Sequence, residues 1–189
     1  MPDLHDIKAT TIQGKEVELS RYRGKVLLIV NVASKCGFTP QYLGLKDLHE
    51  RWKERDFALL AFPCDDFANQ EPGSDAEIKD FCDGEYGVEF DLFSKIKILG
   101  DSPHPLYKFL QASKLDSAPA RGPRAGLFGI FKSLWFLKKG IKRPAVHEVQ
   151  WNFHKFLVDR EGRPVAHFSS LTSPLDPDLT GKIDEELNK

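Results

Sequence analysis

The run from Lys25 to Tyr42, KVLLIVNVASKCGFTPQY, constrains the fold more than any other stretch of the chain. Seven of its first nine residues are apolar and several are β-branched, which is typical of a strand buried on both faces in a parallel sheet. Gly37 and Pro40 then favour a tight turn, and apolar residues recur at helical spacing after Gln41. Cys36 is therefore predicted to lie where a buried strand ends and a helix is about to begin.

A thiol in that position has access to free backbone N–H groups and to the positive end of the helix dipole. Both favour the thiolate, so we expect a lowered pKa for Cys36, with Lys35 adding to the effect. The sequence CGFT resembles a redox C-x-x-C motif whose second cysteine is replaced by Thr39, so no short disulfide is expected. On position alone the alternative stays open that Cys36 packs as a small buried hydrophobe.

Length and composition exclude several classes of protein. The chain has 189 residues, of which 41% are hydrophobic and 11% aromatic, and this suits one domain over residues 1–189. A net charge of −1 gives no case for binding nucleic acid. The start MPDLHDIK lacks the parts of a signal peptide, so we expect a cytoplasmic protein with no integral membrane segment. Three cysteines without zinc-type spacing predict no metal site, and no cofactor is expected.

The order of the remaining patterns predicts an α/β fold. Residues Thr10 to Leu19 read as an amino-terminal β-hairpin, Phe57 to Cys64 as a second buried strand, and Ser74 with Glu77 as the capping box of a helix. Further predicted elements are an extended segment at Val88–Phe93, a helix at Pro105–Ala112, strands at Trp151–Val158 and Pro164–Phe168, and a polar helix at Asp176–Leu187. Together they indicate a central mixed β-sheet flanked by helices.

Residues Ser113 to Gln150 form a long connection that is rich in Gly and Pro and contains the apolar run LFGIFKSLWFLKKG. This run, with its lysines, suggests a helix on a membrane surface. We prefer the alternative that it packs on the body of the protein or on another subunit.

Three runs occur in order along the chain: NVASKCGFTPQY at 31–42, FPCDDFANQEPG at 62–73 and WNFHKFLV at 151–158. Together they resemble the glutathione peroxidase family in its cysteine form, and the match runs from about Lys8 to the terminal helix. The resemblance implies a thioredoxin-like fold. It also implies a catalytic set of cysteine, glutamine, tryptophan and asparagine, which falls at Cys36, Gln70, Trp151 and Asn152.

These residue types suit the implied chemistry. A thiolate that attacks a peroxide displaces an alkoxide or hydroxide, so the site needs donors that hold this anion. Gln70 and Asn152 offer amide N–H groups and Trp151 offers an indole N–H, none of which has to titrate. Without the resemblance, a loop, turn or core role for each of the three would be preferred.

Cys82 matches the resolving cysteine of thioredoxin-dependent members of the family. The resemblance therefore implies reduction of hydrogen peroxide and organic hydroperoxides through a Cys36 sulfenic acid, condensation with Cys82, and regeneration by thioredoxin. Cys82 is expected near surface residues of its helix, and a mobile segment from about Lys79 to Gly87 would let the two sulfurs meet. Open alternatives are an inward-packed Cys82, glutathione as the reductant, a peroxide sensor that passes oxidation to a protein partner, and a ligand-binding protein with an incidental thiol.

Three further expectations concern neighbouring residues and assembly. Cys64 is expected to be a packing residue at the end of the second strand. Asp65 and Asp66 stand where the family often has Asn-Gln, and both are expected to face solvent or a basic partner such as Lys35, since a carboxylate facing Cys36 would raise the pKa of the thiol. The length of the 113–150 connection resembles that of oligomeric members, which favours a homo-oligomer and disfavours bulky phospholipid substrates.

Overall fold

The computed structural model describes residues 3–117 and 123–189, with the backbone alone at Pro123 and Arg124. Four residues used in the sequence-based predictions lie outside the described residues: Met1, Pro2, Pro119 and Gly122.

Seven strands and five α-helices follow one another along the described chain. The strands are β1 (Lys8–Thr10), β2 (Glu16–Glu18), β3 (Val26–Val32), β4 (Phe57–Pro63), β5 (Asp91–Leu92), β6 (Lys155–Val158) and β7 (Pro164–Phe168). The α-helices are α1 (Gln41–Trp52), α2 (Asp75–Phe81), α3 (Pro105–Ala112), α4 (Pro123–Lys138) and α5 (Pro177–Leu187). Short 3-10 helices occupy Leu4–Asp6 and Leu19–Tyr22, and a π-helical turn occupies Cys82–Tyr86.

The main sheet has five strands in the order β5-β4-β3-β6-β7. Strand β3 is parallel to β4 and antiparallel to β6, while β4 is parallel to β5 and β6 is antiparallel to β7. Every residue of β3 and of β4 is buried, as their continuous apolar runs predict for central strands. The mixed sheet is confirmed, and so is the amino-terminal hairpin, which β1 and β2 form as a separate antiparallel pair.

The register of β3 and β4 places two loops side by side. Val26 pairs with Phe57 and Val32 pairs with Pro63, so both strands end at the same edge of the sheet. The chain leaves β3 towards Cys36 and leaves β4 towards Gln70. In open α/β sheets the carboxyl ends of parallel strands are where sites form, so this register brings the two loops together.

Local signals in the sequence predict the helices well. The capping box of Ser74 and Glu77 is present in both directions, and α3 begins at Pro105 as expected. Helix α1 buries the residues that recur at helical spacing: Tyr42, Leu45, Leu48 and Trp52. None of the helices formed by residues 3–117 and 123–189 combines the length and hydropathy needed to cross a bilayer.

The structure corrects three predictions of local structure. The strand expected from Trp151 begins only at Lys155, because Phe153 has a left-handed backbone (φ 63°) that interrupts an extended chain. The extended segment expected at Val88–Phe93 forms a strand only over Asp91–Leu92. Helix α5 is not polar throughout, since one of its faces is buried at Leu179, Ile183 and Leu187.

Candidate active site

Cys36 lies in the turn between the end of β3 and the start of α1. The hydroxyl of Thr39 accepts a hydrogen bond from the Cys36 N–H (3.0 Å) and donates one to the carbonyl of Ala33 (2.8 Å). The Thr39 N–H in turn donates to the Cys36 carbonyl (3.0 Å). Thr39, which replaces the second cysteine of a C-x-x-C motif, therefore fixes the loop that carries the thiol.

The Cys36 thiol is buried, with 7% of the residue exposed. Burial raises its pKa, which corrects the expectation of a lowered value. Three neighbouring groups act to lower the pKa: the N–H of Phe38, which lies 3.5 Å from Sγ, and the side chains of Asn152 and Trp151. The sulfur is therefore removed from water yet surrounded by N–H groups that favour its anion.

Gln70 reaches this site from the loop after β4. Its carbonyl accepts a hydrogen bond from the N–H of Lys35 (2.9 Å), which ties its loop to the loop of Cys36. Its side-chain Oε1 accepts a hydrogen bond from Nδ2 of Asn152 (3.0 Å). Because the side-chain carbonyl of Gln70 is engaged by Asn152, its own N–H donors remain available for a ligand.

Trp151 and Asn152 are held by hydrogen bonds to buried side chains. Nδ2 of Asn31, on β3, donates to the Trp151 carbonyl (3.1 Å), and Oδ1 of Asn31 accepts from the N–H of His154 (3.0 Å). The Ser170 hydroxyl donates to the Asn152 carbonyl (2.6 Å). Asn31 therefore anchors the turn at 151–154 to the strand that leads to Cys36.

Left-handed backbone conformations flank two of the candidate residues. Among the non-glycine residues with positive φ in the described chain, Ala68 (61°) and Asn69 (52°) precede Gln70, and Phe153 (63°) follows Asn152. Such conformations cost about 1–2 kcal/mol per residue and cluster at functional sites, where the surrounding structure enforces them. The backbone is thus held in costly geometry where the amide side chains enter the site.

Helix α4 covers the indole of Trp151. The rings of Phe128, Phe131 and Trp135 lie 5.9, 5.4 and 5.2 Å from the Trp151 ring, all in edge contacts. Phe128 also contacts Phe38, at 5.1 Å. The apolar run of the 113–150 connection therefore packs on the body of the protein and forms part of the wall beside the thiol.

The other two cysteines are buried free thiols. Cys64 follows β4 and is 0% exposed, in agreement with a packing role. Cys82 is also 0% exposed, so the expectation of a position near the helix surface is wrong. Burial raises the pKa of Cys82 to about 11, although the neighbouring side chain of Tyr42 acts to lower it. Cys82 begins the π-helical turn that ends before Gly87.

Asp65 and Asp66 bind backbone N–H groups of the neighbouring loops. Oδ1 of Asp65 accepts from the N–H of Glu71 (2.7 Å), and Oδ2 of Asp66 accepts from the N–H groups of Ile98 (2.5 Å) and Leu99 (2.8 Å). Both residues are half-buried, so the carboxylates bind loop N–H groups rather than Lys35 and stay partly exposed to solvent. Neither contributes to the shifted pKa of Cys36.

Glu71 is a buried carboxyl group directly after Gln70 in the chain, with 0% exposed. Burial raises its pKa to about 7, and a hydrogen bond from the Ser34 hydroxyl (3.1 Å) opposes the rise. Its other oxygen, Oε1, is buried without a hydrogen-bond partner among the described residues. Sequence reasoning did not single out Glu71, because an acidic residue in a polar loop is usually solvated.

The structure brings the predicted residues together: the side chains of Trp151 and Asn152 act to lower the pKa of Cys36, and Gln70 accepts a hydrogen bond from Asn152. Sequence reasoning missed Asn31 and the aromatic residues of α4. Asn31 has a detectable signal, since it is a polar residue inside an otherwise apolar strand, and buried polar groups need partners.

Solved structures share this architecture. The chain superposes on a thioredoxin-family thiol:disulfide interchange protein from Chlorobium tepidum with a TM-score of 0.60 over 98% of this chain and 95% of the other, at 12% identity. It superposes on T. cruzi GPX1 with a TM-score of 0.68 over 99% and 97% of the two chains, at 30% identity. The fold is therefore thioredoxin-like, and the protein is a thioredoxin-fold enzyme with a buried thiol in the turn that follows the central strand β3.

Sequence comparisons identify the family. The glutathione peroxidase family model matches residues 4–111. Hydroperoxy fatty acid reductase gpx1 of Synechocystis sp. is 42% identical over 172 residues, which cover 90% of this chain and 89% of the relative. Thioredoxin/glutathione peroxidase BtuE of Escherichia coli is 42% identical over 179 residues, which cover 94% and 93%. The chain belongs to the glutathione peroxidase family, and it is a peroxidase of the thiol type.

Proposed function

We propose that Cys36 is the residue that attacks the peroxide, and that the enzyme reduces hydrogen peroxide and organic hydroperoxides. The observation that carries this assignment is the surroundings of one sulfur: the Phe38 N–H lies 3.5 Å from Sγ, and the side chains of Trp151 and Asn152, from a distant part of the chain, act to lower the pKa of the thiol. Donors of this kind stabilise a thiolate without contributing a charge of their own. They also suit the anion that leaves when the O–O bond breaks.

The first step follows from these contacts. The Cys36 thiolate attacks one peroxide oxygen, the S–O bond forms, and the O–O bond breaks to give a sulfenic acid and an alkoxide or hydroxide. The leaving oxygen takes up a proton and departs as alcohol or water. Asn152 and Trp151 hold the anion, and Gln70 orients Asn152 through their hydrogen bond and directs its own N–H groups to the substrate.

The second step regenerates the thiol, with Cys82 as the resolving residue. The Cys82 thiol attacks the Cys36 sulfenic acid, water leaves, and a dithiol such as thioredoxin reduces the resulting disulfide by exchange. Because Cys82 is buried, its segment must open first, and π-helical turns are rare and frequently occur at functional sites. Mobility from about Lys79 to Gly87 is therefore part of the proposal.

Glutathione is the alternative reductant, and the name of the E. coli relative includes both thioredoxin and glutathione. The burial of Cys82 favours this alternative, because a one-cysteine cycle needs no opening of the Cys82 segment. A peroxide sensor that relays oxidation to a partner protein would use the same first step and differ in turnover rate.

One set of assays separates these functions. Peroxide-dependent NADPH consumption is measured with thioredoxin and its reductase, and in parallel with glutathione and its reductase. We expect sustained turnover with thioredoxin, loss of turnover to background in Cys36→Ser, and a Cys36–Cys82 linkage by mass spectrometry after one equivalent of peroxide. Turnover that survives Cys36→Ser would refute the assignment, and single-turnover oxidation without sustained consumption would indicate a sensor.

Cys64 provides a matched control for Cys82, because both are fully buried free thiols. Cys82→Ser is expected to lose thioredoxin-coupled turnover and to accumulate sulfenic or over-oxidised Cys36, whereas Cys64→Ser is expected to keep turnover. Equal activity of the two variants would exclude the two-cysteine cycle.

Location and assembly stay predictions. We infer a cytoplasmic enzyme, which cell fractionation tests. Self-association is tested by size-exclusion chromatography with light scattering.

A further inference from the structure

Helix α4 is apolar on two opposite sides, and only one of them is covered by the protein. The inner side packs Phe128 and Trp135 against Trp151 and buries Phe136. The outer side carries Leu127, Ile130, Leu134 and Leu137, which are 72%, 60%, 60% and 76% exposed. Their spacing of three, four and three residues places them on one face of a helix. A helix that is apolar all round normally has both sides covered, so this outer face indicates an interaction surface.

The charge around this helix indicates what the surface meets. Residues 117–147 contain seven Lys and Arg residues and no Asp or Glu, although the whole chain has a net charge of −1. Lys138, Lys139, Lys142 and Arg143 are exposed at the carboxyl end of α4, next to the outer leucines. An apolar helix face bordered by basic side chains is the pattern of helices that lie in the interface of an anionic bilayer.

A second copy of the chain fits this surface less well. A symmetric dimer through α4 would place the same basic side chains of the two copies close to one another. The apolar contact would then be opposed by repulsion between like charges. A bilayer with anionic headgroups satisfies the apolar face and the basic residues together.

We propose that the outer face of α4, formed by Leu127, Ile130, Leu134 and Leu137 with the basic residues that follow, docks on an anionic lipid surface. The docked helix lies along the membrane plane, with its leucines among the acyl chains and its lysines among the headgroups. The opposite side of the same helix contacts Trp151, so docking places the candidate active site about one helix diameter, roughly 10 Å, from the lipid. If the proposed function holds, organic hydroperoxides that form in the lipid then lie close to the candidate active site.

The test is vesicle co-sedimentation of the full chain. Vesicles of phosphatidylcholine alone are compared with vesicles of phosphatidylcholine and phosphatidylglycerol, at low and high ionic strength. We expect binding to the anionic vesicles, little binding to the neutral ones, and weaker binding at high ionic strength. The double substitution Leu134→Glu/Leu137→Glu is expected to lower partitioning at least tenfold. Leu175→Glu is the matched control, because Leu175 is also an exposed leucine (49%) but lies outside α4, and it is expected to bind like the unmodified chain.

A second double variant and a turnover assay distinguish loss of docking from misfolding. Lys138→Ala/Lys139→Ala, which changes only exposed side chains, is expected to weaken binding to anionic vesicles several-fold. Turnover of hydrogen peroxide without vesicles is expected to be unchanged in both double variants. The docking readout does not depend on turnover, so failure of the proposed chemistry and failure of docking are separate results. The proposal is overturned by an absence of binding to anionic vesicles. It is equally overturned by a dimer that the Leu134→Glu/Leu137→Glu variant loses while vesicle binding stays the same.

Discussion

Nδ2 of Asn152 donates a hydrogen bond to Oε1 of Gln70 over 3.0 Å, joining two residues that are 82 positions apart in the chain. Asn152 also contributes to lowering the pKa of Cys36, so a single amide side chain links the thiol to the loop after β4. Because Asn152 is fully buried and engaged in this way, its orientation does not depend on a bound ligand. The donors of the site are therefore organised before a peroxide arrives.

Asn152→Ala removes an amide that acts to lower the pKa of Cys36 and that we propose holds the leaving oxygen. We expect the rate of Cys36 oxidation by hydrogen peroxide to fall about 10²–10³-fold, the range seen when one donor to a developing anion is removed. The pKa of Cys36 is expected to rise further. Stopped-flow oxidation kinetics and the pH dependence of alkylation by iodoacetamide measure the two effects. Gln13→Ala, in the exposed hairpin turn, is the control, and an equal rate in both variants would contradict the role of Asn152.

Phe128 separates the thiol loop from solvent through its contacts with Phe38 and Trp151. Because burial is the largest cause of the raised pKa of Cys36, Phe128→Ala is expected to lower this pKa and to speed alkylation several-fold near neutral pH. Leu127→Ala is the matched control, since the neighbouring Leu127 points outward and is 72% exposed. An unchanged alkylation profile in Phe128→Ala would mean that α4 does not desolvate the thiol.

Glu71→Gln is expected to change how stability depends on pH. The ordinary pKa of 4.5 applies to the unfolded chain and burial raises the folded pKa to about 7, so between these values the native state holds a proton that the unfolded state releases. The free energy of unfolding therefore falls as pH rises from 4.5 to about 7. Gln stays neutral, so the variant should lack this loss, which is about 3 kcal/mol at most.

Urea denaturation of the unmodified chain and Glu71→Gln, at pH values below and above this window, measures the effect. Glu85→Gln, at an exposed site, serves as the control. If the free energy of unfolding changed with pH in the same way in the unmodified chain and in Glu71→Gln, Glu71 would not be buried as a neutral acid.

Lys155 should make the free energy of unfolding depend on pH with a sign opposite to that of Glu71. Its side chain is buried, donates to Oε1 of Gln41 (2.5 Å) and the carbonyl of Thr172 (2.6 Å), and has its pKa lowered by burial from 10.5 to about 7. Between these values the unfolded chain binds the proton and the native state does not, so stability rises with pH over this window.

Lys155→Met is expected to abolish this rise, which is of the order of 4 kcal/mol, while lowering stability overall because two acceptors lose their donor. The slope of unfolding free energy against pH is the decisive measurement, with exposed Lys97→Met as the control. A slope that persists in Lys155→Met would assign it to another group.

Short-range patterns in the sequence predicted most of the fold. Continuous apolar runs indicated β3 and β4, because only strands covered on both faces are apolar throughout. Ser74 with Glu77 indicated the start of α2, because their reciprocal hydrogen bonds involve residues three apart. The prediction of a strand from Trp151 was wrong because the backbone there is set by a long-range contact. Its interruption at Phe153 comes from a contact with distant Asn31, whose carbonyl accepts from the Phe153 N–H (2.6 Å). The single domain over residues 1–189 stays a prediction.

The same distinction between short-range patterns and long-range contacts applies to the candidate site. The sequence by itself determined the buried strand that delivers Cys36 and the turn after it, and three motifs in order indicated Gln70, Trp151 and Asn152 as candidate site residues. The tertiary structure alone decided the direction of the Cys36 pKa shift, the burial of Cys82 and Glu71, and the contact of α4 with Trp151. Motifs and capping are local, and they can be read from neighbouring residues. Desolvation depends on what distant segments place around an atom, and no short stretch of sequence contains that information.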